Sequence, residues 1–130
     1  MAGKIIADTL EHSTAGSIAT NYVVEGSAKA WHQFNGTGTV TTLDSFNISS
    51  LTDNAAGNYT SLFVNSMSNQ YYSPSGSCVG SSVSNFWSYF TSNGSNADIA
   101  TSSIRFQLVH YTASSNDQNR VNVSIHGDLA

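Results

Sequence analysis

The side chains able to do chemistry are four histidines, one cysteine, eight carboxylates and a large stock of hydroxyls. Nucleophilic catalysis needs a Ser or Cys beside a His, usually with a carboxylate behind it, converging in a cleft. Serines occur along the whole chain, so none is marked out, and no nucleophile-elbow pattern surrounds any of them. Cys78 has no sequence feature pointing to a partner histidine and reads as a small apolar filler. Glycoside cleavage would require two carboxylates facing each other across a groove. Asp44, Asp53, Asp98, Asp117 and Asp128 mostly sit beside turn residues, which suits backbone capping. His12, His32, His110 and His126 lack the close pairing of a zinc site. One metal or anion site stays open: on a threefold axis a single histidine is presented three times, and His110 or His126 can play that part. The expectation is a protein without catalytic residues, metal or cofactor, and not an enzyme.

Aromatic residues offer a second chemistry. Trp31, Trp87 and the pair Tyr71-Tyr72 can stack on sugars, or they can pack in the core and at interfaces, which is the simpler reading. Gly36-Thr37-Gly38 lies between β-type runs with no helix after it, so it is not a phosphate loop. Sequons at Asn35, Asn47, Asn58, Asn93 and Asn122 reflect a composition rich in Asn, Ser and Thr.

These side chains need a scaffold, and composition restricts its type. The 130 residues fit one domain of ordinary size. Charged residues are only 9%, against about 25% in an average soluble domain. Water-facing positions therefore fall to Ser, Thr, Asn and Gly, which favour strands and turns over helices. Net charge is −4, and the only bases besides histidine are Lys4, Lys29, Arg105 and Arg120. Four scattered cations neutralise neither a nucleic-acid backbone nor a membrane surface, so both partners are excluded. One cysteine rules out an internal disulfide framework. The start lacks the apolar segment of a secretory signal, and no run approaches a membrane span, so synthesis and solubility in a cytoplasm are expected.

Residues 1–27 spread Ile5, Ile6, Leu10, Ile18, Tyr22, Val23 and Val24 thinly among polar residues. Lys4 to His12 suits a turn or two of helix, and short strands serve equally; Ile18 to Val24 is β-branched and bounded by Gly16 and Gly26. Too little apolar surface is present for an independent core, so the segment rests on the chain's own globular part, on neighbouring copies or on a partner surface, and the last two are the expectation.

From residue 28 the pattern is β. Ala28, Ala30, His32 and Phe34 fall on one side of a strand and Trp31 on the other. Thr39 to Leu43 is a β-branched run, and Phe46 and Ile48 share a face in the next. Asp53 to Asn58 reads as a turn, Tyr59 to Val64 and Gln70 to Ser73 as strands, and Pro74 to Gly80 as a loop or irregular edge. Val83 to Phe90 crowds Phe86, Trp87, Tyr89 and Phe90 onto both faces of one strand, and Ser92 to Asp98 is a loop around Asn93-Gly94. Ser103 to Tyr111 and Arg120 to His126 alternate clearly and are expected to form an antiparallel hairpin through Thr112 to Asn119.

Several of these stretches together resemble a module of phage virion proteins. They are Lys29-Ala30-Trp31, Phe34-Asn35-Gly36-Thr37-Gly38-Thr39, Ser45 through Asn54, and Gly57-Asn58-Tyr59-Thr60. The closing Arg120 through Asp128 is similar to that module's end, and Ile5 through Leu10 to its lead-in. The likeness is to tail-fibre-like proteins of marine and cyanobacterial bacteriophages; it touches most of the chain and is poor over residues 65–102. It implies a virion structural role and a trimeric assembly.

The expected fold is all-β: an antiparallel β-sandwich, jelly-roll-like, spanning residues 28–130, with an extended N-terminal arm, residues 1–27, for attachment and assembly. The expected role is a tail-fibre-like subunit, made in the host cytoplasm and residing in the virion, with a homotrimer and other virion proteins as partners. Two alternatives stay open. One is a capsid decoration protein of the cement or head-fibre kind. The other is a lectin-like receptor-binding module using Trp31, Tyr71, Tyr72 or Trp87 on a host surface glycan.

Overall fold

Period-two alternation drives the architecture. In a half-buried strand, residues i and i+2 share a face. β3 (Ala30–Asn35) buries Ala30, His32 and Phe34, and leaves Trp31, Gln33 and Asn35 half-buried on the opposite face. β10 (Ser103–Val109) buries Ile104, Phe106 and Leu108, and β11 (Arg120–His126) buries Val121, Val123 and Ile125. The structure, a computed structural model, describes residues 6–79, 89–91, 98–109 and 114–130.

Two antiparallel sheets share one core. The first has the order β4-β3-β11-β7, with β4 at Thr41–Phe46 and β7 at Ser73–Val79. The second has the order β5-β6-β10-β8, with β5 at Ile48–Ala55, β6 at Asn58–Phe63 and β8 at Tyr89–Thr91; the short β9 (Ile99–Ala100) also pairs with β10. Phe34 of the first sheet meets Tyr59 of the second edge-on, ring centroids 4.9 Å apart, and Phe106 lies 6.0 Å from both. The chain is thus all-β with a sandwich-like body. Edge-on aromatic pairs of this kind add about 0.5–1.5 kcal/mol beyond the area they bury.

Asn47 makes the corner where the chain leaves one sheet for the other. Its φ is +57°, a left-handed value that Asn tolerates better than most residues. Its amide donates to the carbonyls of Lys29 and Asn65, both at 3.0 Å, and its Oδ1 accepts the Asn65 N–H at 2.7 Å. This corner separates Phe46, in the first sheet, from Ile48, in the second; they do not share a strand face as the local alternation suggested.

Three further departures have identifiable causes. Of the loop or irregular edge expected from Pro74, the structure has the edge, and as a regular strand to Val79. The strand lies at the edge of its sheet, where a proline costs little, and pairs with β11 from Ser73↔His126 to Val79↔Arg120. β10 and β11 do not form a hairpin: they occupy different sheets. Strand β5 runs on to Ala55, so the expected turn shrinks to Ala56-Gly57. The expected loop at 92–97, Phe86 and Trp87 lie outside the described residues, as do the side chains of Tyr89 and Phe90.

The N-terminal segment is not extended where it is described. β1 (Thr9–His12) and β2 (Gly16–Ala19) form a hairpin, and α1 (Thr20–Gly26) follows. The His12 ring closes the hairpin turn: its Nδ1 accepts the N–H groups of Thr14 at 3.3 Å and Ala15 at 3.1 Å. The Lys29 ammonium donates to the carbonyls of Val24 and Ser27, tying the end of the helix to the start of the body. No helix among the described residues is long and apolar enough to cross a membrane.

Candidate functional site

Reactive side chains gather first inside the core. His32 on β3 is 1% exposed; Ser61 on β6 is fully buried. Nδ1 of His32 lies 3.0 Å from the Ser61 hydroxyl and Nε2 lies 2.9 Å from the Thr42 hydroxyl, so the imidazole bridges the two sheets. Burial pushes its pKa down to about 4, which keeps the ring neutral near pH 7. A histidine–serine pair is the beginning of a nucleophilic site, yet this serine offers no surface to a substrate. The pair acts as a hydrogen-bonded pin between sheets. Alternation alone placed His32 inward; its partners, 10 and 29 residues away, have no local signal.

A second polar cluster closes one end of the body. Asp117 Oδ1 accepts the Tyr59 hydroxyl and the Gly57 N–H, both at 2.7 Å. The Tyr59 hydroxyl also donates to the Gly36 carbonyl at 3.1 Å, and the Gly36 N–H reaches the Gln118 carbonyl at 2.9 Å. Burial first, then the hydrogen bond and charge of Asp117, raise the Tyr59 pKa far above that of a free phenol. Asp117 therefore does cap a turn, but the turn is 60 residues away in sequence. Asp44 caps locally, accepting the Ser45 N–H at 2.8 Å. Asp98 is 8% exposed, and its Oδ2 has no hydrogen-bond partner among the described residues. No group of three or more His, Cys, Asp or Glu that could hold a metal occurs among the described residues.

The expected aromatic residues fall apart in space and role. Trp31 is half-buried on the outer face of the first sheet, paired across strands with Phe46 on one side and Ser124 on the other. Tyr71 is 94% exposed in the crossing between β6 and β7. Tyr72, its neighbour, is turned inward. Its ring meets Phe63 edge-on, and its hydroxyl donates to the carbonyls of Ala100 and Ser103, each at 3.0 Å. Burial pushes its pKa up to about 12. Tyr72 is thus a core residue of the body and not part of an open groove. Trp87 and His110 lie outside the described residues; His126 is half-buried on the outer face, its Nε2 3.3 Å from the Ser124 hydroxyl.

That outer face carries two ordered rows of side chains. One row across the strands runs Phe46, Trp31, Ser124, Ser75; the next runs Asp44, Gln33, Asn122, Ser77. Gln33 Nε2 donates to Asn122 Oδ1 at 2.7 Å, and Asn122 Nδ2 donates to the Ser77 hydroxyl at 3.3 Å. Because β7 carries only small side chains at Ser75, Gly76 and Ser77, a shallow trough opens between it and Asn122 and Ser124. No known protein family, curated protein or solved structure matches the chain.

Proposed function

We propose that this chain is a bacteriophage virion structural protein, a tail-fibre-like subunit that works by forming a homotrimer and attaching to the particle. The observation carrying this reading is the N-terminal segment. Helix α1 and strands β1 and β2 contain no buried residue, although Leu10, Ile18, Tyr22, Val23 and Val24 stand 40–67% exposed on them. Leu10 and Ile18 are direct cross-strand partners, so they form one apolar spot on the hairpin. An isolated two-stranded hairpin is marginal in water, and a seven-residue helix without a packed face is no better. Such a segment gains its stability from a surface that covers it.

The resemblance of Lys29-Ala30-Trp31, Phe34 through Thr39, Ser45 through Asn54 and Gly57 through Thr60 to a virion module supports this class of partner. The scarcity of ionised side chains supports contact between copies, since little charge has to be desolvated when β surfaces meet. Sedimentation velocity of the intact chain at micromolar concentration is expected to show a species of three 13.8-kDa chains. Monomers alone at that concentration refute the assembly. In particles, Tyr22→Ser with Val24→Ser is expected to block incorporation while leaving thermal unfolding unchanged; normal incorporation refutes the role of the segment.

A further inference from the structure

We propose that the outer face of the first sheet is a binding site for a neutral oligosaccharide. Trp31 and Phe46 form its stacking platform, and Gln33, Asn122 and Ser77 form its hydrogen-bonding row. The inference stands independently of the assembly proposed above.

The chemistry of a neutral sugar is two-sided. Its ring presents an apolar face of C–H groups, and its rim presents hydroxyls that each donate and accept. A matching site needs a flat aromatic surface and, within a ring's reach, groups of both hydrogen-bonding signs. Here Phe46 is 52% exposed and stands directly opposite the half-buried Trp31. The amide row lies two residues further along each strand, about 7 Å away at the usual rise per residue. A pyranose laid on the aromatic pair therefore has its rim at the amides.

Those amides are already oriented. The chain from Gln33 through Asn122 to Ser77 uses one hydrogen of each amide nitrogen, so each retains a second donor, and every oxygen in the row retains accepting capacity. Fixed side chains lose little entropy on binding. The trough beside Ser75, Gly76 and Ser77 continues the row, giving a second sugar unit a hydroxyl-lined place to lie. Of the two rows only Asp44 is charged, so nothing in them selects for phosphate or sulfate groups. A second copy of this chain is the less fitting occupant. An apolar counter-surface would strip water from a row of amides and hydroxyls without replacing those bonds.

The test uses the intact chain against an array of neutral gluco-, galacto- and manno-configured oligosaccharides, with hits titrated calorimetrically. At least one probe is expected to bind. Trp31→Ala is expected to weaken it by about tenfold or more, as loss of an aromatic platform does. Asn122→Ala and Phe46→Ala, which remove one face residue each, provide the same test should Trp31→Ala fail to fold. Leu62→Ala, on the exposed side of β6 in the other sheet, is expected to leave affinity unchanged. The proposal is overturned if no probe binds, or if binding survives Asn122→Ala and Phe46→Ala undiminished. It is equally overturned if these substitutions abolish self-association while no sugar is bound, since the face then belongs to a second copy.

Discussion

Protonating His32 should destabilise the body, and the size of the effect follows from its surroundings. In the unfolded chain the imidazole titrates near 6.5; folded, it titrates at about 4 because burial disfavours the charged ring. Hydrogen bonds do not oppose this shift strongly. The Ser61 and Thr42 hydroxyls can each donate or accept, so they serve the neutral ring and the imidazolium alike. Between the two pKa values the unfolded state binds more protons, so stability falls as pH falls. Each unit is worth about 1.36 kcal/mol, so acidifying from pH 7 to pH 5 should cost about 2 kcal/mol through His32 alone, rising to about 3 kcal/mol near pH 4. The assay is urea unfolding at pH 7 and pH 5 for the native chain and for His32→Gln. The variant is less stable at pH 7, but it lacks this titration and retains every other ionisable group. Its loss between the two pH values should be smaller by about 2 kcal/mol. Equal losses would show that the ring is not held away from water in the folded state, and the account of an inter-sheet pin would fall.

Two glycines separate backbone strain from steric exclusion. Gly38 and Gly57 both have φ +65°, but a Cβ at Gly38 meets nothing within 4 Å, whereas one at Gly57 would lie 2.8 Å from the backbone N and O of Asn116. Gly38→Ala should cost about 1 kcal/mol and Gly57→Ala at least about 3 kcal/mol in thermal or denaturant unfolding. Asp117→Ala should cost about 2–3 kcal/mol, because it strands the buried Tyr59 hydroxyl's stronger partner bond and the Gly57 N–H. In a cycle with Tyr59→Phe, the two losses should fall short of additive by about 1 kcal/mol; strict additivity would dissolve the proposed coupling.

Much of the body was legible from alternation, because a strand with one dry face must repeat every two residues. Residues 30–35, 103–109 and 120–126 carry that signal in full. Ser73 to Val79 does not: its small and polar residues look like a loop, and only the ladder with β11 makes them a strand. The sheet that each strand joins was also hidden. β10 and β11 alternate as hairpin partners would, yet which neighbour each one finds is decided by contacts distant in sequence. Among the candidate aromatics, Trp31 opposing a buried run was readable as outward-facing. Tyr71 and Tyr72 fall before the strand and not within the one expected over Gln70 to Ser73, since β7 begins at Ser73; Phe63 and the carbonyls of Ala100 and Ser103 select Tyr72 for the core.

The three polar clusters divide the work of holding the sheets in register. Asn47 fastens Lys29 and Asn65 at one end of the strands; Asp117, Tyr59 and Gly36 fasten the other; His32 and Ser61 join the layers between them. Apolar contacts alone tolerate sliding, since any hydrophobic residue of similar volume fills the same space. A buried hydroxyl or amide does not, because a shift of one residue leaves it without a partner at a cost of about 1–3 kcal/mol. With register set from inside, the outer face and the N-terminal hairpin need not contribute to folding the body. Apolar side chains can therefore stand on α1 without a core beneath them, and the half-buried Trp31 and exposed Phe46 beside an ordered row of amides, without loss of register.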